Sequence, residues 1–256
     1  MGMVQNMDAT ALSMYAAFGV MSTGALPITA ALRGLGRGDT THRLAGRSLR
    51  TLGRMIVRAT HAWNFGVEGA PPDDLDRRPC VVVANHASLA DTFLLSHLPL
   101  DQRFVAKEEL FRLPLVGWLL RLAGDIPIRR GDHESAAAME RACVTTLAHG
   151  LSVTIFPEGT RSTDGRLRPF RMGAFRIATA AGARILPVAL HGTAACIIDG
   201  RPKRACARAE ILPAIEPDGY TADELREHTH RVIEDALARR AAAEHEAQAS
   251  DCPFFV

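Results

Sequence analysis

The stretch CVVVANHASLAD, residues 80–91, passes from five consecutive apolar residues into a polar segment. A short, continuously apolar run is typical of a strand that is buried within a sheet. Comparable runs recur at 125–128, 152–156, 185–190 and 209–212. The sequence therefore predicts five strands, the first of them at 80–84.

Stretches of helical character lie between the predicted strands, at 88–98, 108–122, 133–149 and 171–182. A final long helix is predicted from about 223 to 247, with Thr221 as its N-cap. Alternation of strand and helix is the pattern of an α/β fold, because each crossover helix returns the chain to the same edge of the sheet. We predict an α/β domain over residues 66–256, with a mixed, largely parallel sheet flanked by helices.

The composition is that of a globular protein. Of 256 residues, 47% are hydrophobic and 23% are charged, which is enough for a sizeable core. The 30 basic and 28 acidic residues leave a formal net charge of +2, which argues against nucleic acid as the main partner. The cysteines contain no CxxC pair, and no zinc site is visible.

The N-terminal segment has a different character. No charged residue occurs from Ala9 to Leu32, a run long enough to cross a bilayer. Gly19, Gly24 and Pro27 make it only moderately apolar, and no basic residue precedes it, which argues against a signal peptide. Three possibilities stay open: a spanning helix, a helix that lies on or half inserts into the membrane, and a buried helix of a soluble protein. The composition favours the second.

A basic segment follows, in which arginines recur at helical spacing: Arg43, Arg47, Arg50, Arg54 and Arg58. Leu52 and Ile56 fall on the opposite side of the same helix. This pattern fits an ordinary surface helix or a helix that lies on an anionic membrane, and beside the uncharged run we favour the membrane. We predict a membrane-associated helical region at residues 1–65, with the remainder at the cytoplasmic face of the inner membrane.

Polar side chains follow the first predicted strand directly. His86 stands at the position where open α/β sheets bind ligands, and Asp91 lies five residues further on. The two side chains meet only if His86 precedes the helix and bends back over its first turn. A carboxylate there would fix the tautomer of the imidazole and leave its other nitrogen as a general base. Taken alone, such a pair is more often a capping or core histidine and a helix-surface acid.

A second polar segment, FPEGTRS at residues 156–162, follows the strand predicted at 152–156. Taken alone, it also fits a solvated turn, because Pro and Gly mark loops and the other residues commonly fill them. Its function therefore depends on whether the fold brings it to the His86 segment.

These segments carry a resemblance to a known family. NHASLAD (85–91) and FPEGTRS (156–162) resemble the first and third signature blocks of the glycerolipid acyltransferases, the family of 1-acylglycerol-3-phosphate acyltransferases. GDIPIRR (124–130) and ILPVAL (185–190) are similar to the second and fourth blocks, and all four occur in the order of the family. Arg129 departs from the pattern, because this place is often acidic in relatives. It adds a positive charge near Arg130 and leaves the choice of acceptor open.

The resemblance implies an O-acyltransferase. In this family the histidine, here His86 held by Asp91, removes the proton from an acceptor hydroxyl, which then attacks the thioester of an acyl carrier. The implied reaction moves a fatty acyl group from acyl-CoA or acyl-carrier protein to the sn-2 hydroxyl of 1-acyl-sn-glycerol 3-phosphate. The product is phosphatidic acid, in phospholipid biosynthesis. No metal is expected, and no cofactor beyond the acyl carrier.

The resemblance also implies where the acceptor binds. A phosphomonoester carries up to two negative charges and needs cations with several donors, for which Arg161, Arg130 and Lys107 are the candidates. The loop itself supplies further predicted contacts. Glu158 would accept from an acceptor hydroxyl or orient an arginine, and Gly159 would let the backbone approach closely. Thr160 is a further candidate for substrate binding.

Three alternatives remain open at this point. The acceptor could be another lysolipid, such as a lyso-ornithine lipid. The chain could also be a non-catalytic lipid-binding membrane protein, or a hydrolase in which water replaces the acceptor.

Overall fold

The computed structural model describes residues 9–35, 41–75, 77–162 and 165–246. The helices are α1 (Ala9–Leu35), α2 (Arg43–Thr60), α3 (Ala90–Leu95), α4 (Glu108–Arg112), α5 (Val116–Ala123), α6 (His133–Ala148), α7 (Gly173–Ala181) and α8 (Ala222–Glu246). The strands are β1 (Trp63–Glu68), β2 (Val81–Ala84), β3 (Gln102–Lys107), β4 (Ile126–Ile128), β5 (Ser152–Ile155), β6 (Ile185–His191), β7 (Ile197–Ile198), β8 (Arg201–Pro202) and β9 (Ala205–Ile211).

A seven-stranded sheet with the strand order β1-β9-β6-β2-β5-β3-β4 forms the centre of the protein. Its neighbouring strands are parallel, except that β6 and β9 are antiparallel. The prediction of a mixed, largely parallel sheet is therefore confirmed. β2 and β5 are central neighbours, so the segments that follow them emerge at the same edge of the sheet.

Helices cover both faces of this sheet. One apolar layer lies between the sheet and helices that include α2 and α3, and it contains the buried side chains of Ile56 and Leu94. The second layer lies between the sheet and α6, α7 and α8, and it contains Cys143, Phe175 and Ile233. Because both faces are covered, all four residues of β2 are buried, which explains its continuously apolar sequence.

All five predicted strands are present, but the sequence pattern does not predict β1 and β3. β3 has the sequence QRFVAK, in which polar and apolar residues are mixed. Its buried Gln102 accepts from the Thr154 hydroxyl and donates to the carbonyl of Leu95, so the fold satisfies a polar group at a core position. β1 crosses the domain boundary that the sequence predicts between residues 65 and 66.

The predicted helix at 108–122 is two helices, α4 and α5. The chain turns at Pro114, which cannot continue a helix, and Leu115 adopts a positive φ of 65°. Gly117 permits the turn to close, because a Cβ atom there would lie 2.1 Å from the carbonyl oxygen of Phe111. At the far end of the chain Thr221 caps α8 in a reciprocal pair with Glu224, as predicted, while the predicted end at Ala247 lies outside the described residues.

Helix α1 lies on the surface and packs against α2 and α5. Only four of its residues are buried, so it is not a core helix. Tyr15 donates to the carbonyl of Gly200 at 2.8 Å, and Arg33 near the other end donates to the carbonyl of Arg121 at 2.8 Å. Among the described residues, α1 is the one helix that is long enough and apolar enough to cross a membrane. Its mean hydropathy is 1.3.

The arginines of α2 bind the α/β domain. Arg43 and Arg47 both pair with Asp101, with nitrogen–oxygen distances of 2.8 and 2.6 Å. Arg54 donates to the carbonyl of Ser96 at 2.8 Å. These contacts place Arg43, Arg47 and Arg54 at the interface with the α/β domain, which helical periodicity does not show. That α2 lies on an anionic membrane surface stays a prediction.

Arg50 forms a buried ion pair within this interface. Arg50 is 7% exposed and its partner Asp125 is 5% exposed. The guanidinium of Arg50 lies 3.9 Å from the ring centroid of Phe104. Asp125 also accepts from the backbone amide of Phe104 at 2.9 Å. The pair joins α2 to β3 and to the segment that enters β4.

Candidate active site

The two polar motifs, residues 85–91 and 156–162, follow the adjacent parallel strands β2 and β5. Ligands of open α/β sheets bind at the carboxyl ends of the strands, so this edge is the expected position of a site. Hydrogen bonds connect the two motifs directly. Ser162 donates its amide to the carbonyl of His86 at 2.8 Å, and Glu158 accepts from the amide of His86 at 2.6 Å.

His86 and Asp91 form the predicted pair. α3 begins at Ala90, so His86 precedes the helix and bends back over its first turn. The Asp91 Oδ2 atom lies 2.7 Å from His86 Nδ1 and also accepts from the amides of Ala87 and Ser88 at 2.8 and 2.9 Å. An ionised carboxylate only accepts hydrogen bonds, so Nδ1 carries the proton and Nε2 keeps a lone pair. The arrangement suits a general base.

The imidazole ring is fixed in place from a second side. It stacks on Phe156 with ring centroids 4.1 Å apart and planes inclined by 20°. One face of the ring is therefore covered, while Asp91 holds its Nδ1 edge and is itself fully buried. Because these two contacts prevent the His86 ring from rotating, its Nε2 atom stays directed at one position.

Glu158 has a different environment from the one that the sequence predicts. It is 4% exposed, and its oxygens accept from the backbone amides of His86 at 2.6 Å and Arg168 at 3.1 Å. Burial raises the pKa of Glu158 above its usual value, while the hydrogen bond from the His86 amide opposes the shift. In this structure Glu158 therefore holds the backbone that carries the base.

A cleft of about 510 Å³ opens in front of His86. Part of its wall is apolar and includes Val105, Leu110, Ile128, Met139 and Ile155. Another part carries the cations Lys107, Arg130, Arg161 and Arg171. A cleft with both kinds of wall suits a ligand that has a hydrocarbon part and an anionic part.

The structure brings the three predicted cations to this cleft. Arg130 and Arg161 have no carboxylate partner within the part of the chain that the structure describes, whereas Lys107 lies 3.2 Å from Glu109. Two unpaired guanidiniums beside the base form the clearest anion-binding feature of the cleft. Thr160, the remaining residue of the predicted set, is exposed and does not line the cleft.

Arg171 also lines the cleft, although no sequence signal singles it out. It follows FPEGTRS by nine residues and stands just before α7, where a basic residue is unremarkable. Its backbone amide donates to the carbonyl of Pro157 at 2.9 Å, which anchors it to the motif loop. Only the folded chain places it in the same cleft as Arg161.

Comparisons with known proteins agree with this geometry. The family model described as Acyltransferase matches residues 66–191. A 1-acyl-sn-glycerol-3-phosphate acyltransferase of Escherichia coli (strain K12) is 31% identical over 209 residues, which are 78% of this chain and 85% of that protein. The chain belongs to the acyltransferase family. The resemblance seen in the four motifs is thereby confirmed.

Further relatives define how far this similarity extends. A chloroplastic 1-acyl-sn-glycerol-3-phosphate acyltransferase of Brassica napus is 41% identical over 128 residues, which cover 50% of this acyltransferase and 36% of the Brassica protein. The chain spans about half or less of the length of this and similar plant and algal relatives. The fold is similar to the crystal structure of the 1-acyl-sn-glycerophosphate acyltransferase from Thermotoga maritima, with a TM-score of 0.73 and 26% sequence identity. The superposition covers 94% of this chain and 98% of the Thermotoga chain.

Arg129, the departure of this acyltransferase from the family pattern, is neutralised locally. It binds Glu108 at 2.7 Å and Asp132 at 3.1 Å. Hydrogen bonds from Arg129 and Arg112 lower the pKa of Glu108 to about 2. Arg129 lines the cleft near Arg130, as expected, but two carboxylates bind its guanidinium and offset its charge.

Within the described residues, the acyltransferase has no group of three or more His, Cys, Asp or Glu residues that could hold a metal ion.

Proposed function

We propose that this acyltransferase moves a fatty acyl group from acyl-CoA or acyl-carrier protein to the sn-2 hydroxyl of 1-acyl-sn-glycerol 3-phosphate, giving phosphatidic acid. The observation that carries the proposal is a fixed His86–Asp91 pair in the same cleft as arginines without carboxylate partners in the described chain. The names of the similar proteins from E. coli and T. maritima support the same acceptor.

The geometry of His86 supports a direct transfer. Nε2 accepts the proton of the sn-2 hydroxyl as its oxygen attacks the thioester carbonyl, and Asp91 stabilises the resulting imidazolium. When the tetrahedral intermediate collapses, the carbon–sulfur bond breaks and the imidazolium returns the proton to the thiolate. Ser88 is no alternative nucleophile here, because it is buried and its hydroxyl accepts from the amide of Ala90 at 3.2 Å.

The charge of the cleft supports a phosphomonoester acceptor. Guanidinium groups bind phosphate oxygens through two parallel hydrogen bonds, and such charge-assisted bonds are stronger than neutral ones. A zwitterionic headgroup would bring its own cation toward Arg130 and Arg161 and would be repelled.

We place the protein on the cytoplasmic face of the inner membrane, with α1 lying along the bilayer surface rather than crossing it. Both ends of α1 are hydrogen-bonded to the α/β domain, and its outward side exposes Leu12, Val20 and Ile28. The adjacent helix α5 exposes Trp118 by 53%, a residue type that favours membrane interfaces. No metal or bound cofactor takes part in the proposed reaction.

Replacing Arg161 by alanine tests the acceptor. We expect the KM for 1-acyl-sn-glycerol 3-phosphate to rise by about 10- to 100-fold, the range expected when a hydrogen bond to a charged group is lost. The KM for the acyl donor should stay unchanged. Purified wild type and variant are assayed with a panel that also contains a lyso-ornithine lipid and other lysophospholipids.

Arg176→Ala is the matched control, because Arg176 lines the same cleft but is paired with Glu140. Its KM values should remain close to those of wild type. An Arg161→Ala variant that loses activity equally toward every acceptor would contradict the assignment of the phosphate to Arg161. Preference of the wild type for a lyso-ornithine lipid would overturn the proposed acceptor.

Replacing Glu158 by glutamine tests whether this residue positions the base. A glutamine amide has one accepting oxygen instead of two, so one of the two backbone amides loses its partner, at a cost of about 1–3 kcal/mol. We expect kcat to fall by about tenfold or more with a lowered Tm, because a displacement of about 1 Å at a catalytic group can cost roughly a hundredfold. Glu216→Gln, which alters an exposed pair with Arg78, should change neither. An unaltered kcat in Glu158→Gln would refute the positioning role.

A further inference from the structure

The environment of Arg171 differs from that of the other arginines near it. Arg176, on the helix α7 that follows Arg171, pairs with Glu140, and Arg129 pairs with Glu108. Arg171 has no carboxylate partner in the described part of the chain, although it faces the cleft that contains His86. A cation held at a binding cleft without a counter-ion is arranged for an anion that the cleft receives.

The side chain of Arg171 lies directly on Gly159 of the FPEGTRS loop. A Cβ atom at Gly159 would stand 2.5 Å from Nε and 2.9 Å from Cζ of Arg171, closer than atoms can approach. Gly159 also has a φ of +70°, which glycine adopts without strain. The loop thus favours glycine for its turn, and the missing Cβ leaves room for the Arg171 side chain.

The positive charges of Arg171 and Arg161 both act on Arg130. Burial lowers the pKa of Arg130, the charge of Arg171 lowers it further, the charge of Glu109 opposes the shift, and the charge of Arg161 adds a smaller lowering. Three like charges in one cleft are unfavourable in the free protein, and a bound dianion relieves that repulsion. Glu109 offsets part of this repulsion, and an anionic ligand would relieve more of it.

We propose that Arg171 is a specificity-determining residue that binds the acceptor phosphate together with Arg130 and Arg161. The inference rests on the proposed function, and it adds a residue that lies outside the four motifs. A phosphomonoester has three non-ester oxygens, so three guanidiniums can surround it while the ester oxygen leads to the glycerol. Holding the phosphate from several sides fixes the distance from the headgroup to the sn-2 hydroxyl that His86 deprotonates.

Kinetics of Arg171→Ala and Arg171→Lys form the first test, with Arg176→Ala as the control, because Arg176 is a nearby arginine that pairs with Glu140. We expect the KM for 1-acyl-sn-glycerol 3-phosphate to rise about tenfold or more in Arg171→Ala and to recover in part in Arg171→Lys. The kcat at saturating acceptor and the KM for the donor should change by less than about twofold. A KM in Arg171→Ala equal to that of wild type would overturn the inference.

Inorganic phosphate provides a second test that needs no acyl transfer. Phosphate should raise the Tm of wild type and of Arg176→Ala, and this shift should be largely lost in Arg171→Ala. Without phosphate, Arg171→Ala should be at least as stable as wild type, because a repulsive charge is removed. A lower Tm together with an unchanged phosphate shift would show a structural role instead.

The two tests separate this inference from the proposed function. If wild type acylates 1-acyl-sn-glycerol 3-phosphate but Arg171→Ala retains its KM and phosphate shift, Arg171 is excluded and the function stands. If wild type acylates only acceptors without a phosphomonoester, the proposed function fails. The phosphate shift then still decides whether Arg171 binds an anion.

Discussion

His86→Ala reduces kcat by at least about a thousandfold, within the range of about 10²- to 10⁴-fold that a general base contributes. The variant removes the Nε2 atom that accepts the proton of the attacking hydroxyl. Binding should change little, because the cations that hold the acceptor lie on other segments. The expected result is therefore a loss in kcat with nearly unchanged KM values for acceptor and donor.

The fold should survive this replacement. Asp91 still accepts from the amides of Ala87 and Ser88, and Glu158 still accepts from the backbone amide at position 86. The circular dichroism spectrum should therefore match that of wild type. The Tm should fall only by what the loss of one hydrogen bond to buried Asp91 costs, about 1–3 kcal/mol. Asp91→Asn provides an independent variant, in which the imidazole remains but the charge that stabilises its protonated form is lost. Turnover like that of wild type in His86→Ala would contradict the proposed mechanism.

The largest effect on stability is expected for Asp125→Ala. The variant leaves the guanidinium of Arg50 buried without its counter-ion, and losing one partner of a buried pair costs about 3–5 kcal/mol. It also deprives the Phe104 amide of its acceptor. For a chain of this size we expect Tm to fall by about 6–20 °C in a thermal melt.

Two controls show whether the charge causes this loss. Glu216→Ala removes one partner of an exposed pair with Arg78 and should cost less than about 1 kcal/mol. The double variant Arg50→Met/Asp125→Ala removes both charges and should recover much of the stability. If Asp125→Ala melts within a degree or two of wild type, the pair contributes nothing to the docking of α2.

Much of the sheet follows from local sequence. Its central strands β2, β5 and β6 are buried on both faces, so their residues must be apolar and the run is visible. β3 escapes this pattern because Gln102, at its start, is buried with its hydrogen bonds satisfied by Thr154 and Leu95. A polar residue at a core position is recognisable only when its partners are known.

The residues of the site also differ in whether local sequence predicts their contacts. His86 and Asp91 are close in sequence and follow a recognisable strand, so their pairing depends on one local condition, the start of the helix after His86. Arg171 carries no local signal, since its neighbours in the cleft come from other strands and loops. The sequence motif indicates Glu158 as a site residue. Its contacts with the backbone amides of His86 and Arg168 depend on how the segments that carry these three residues pack.

The sequence by itself determined the α/β class, the family and the pair His86 and Asp91, because buried runs and short motifs impose their geometry locally. Only the tertiary structure decided how distant charges are used. It turned the α2 arginines onto Asp101 and Asp125, neutralised Arg129, and left Arg130, Arg161 and Arg171 facing the cleft without carboxylate partners among the described residues. The physical reason is that the effect of a charge depends on its neighbours in space, which helical or strand periodicity does not contain.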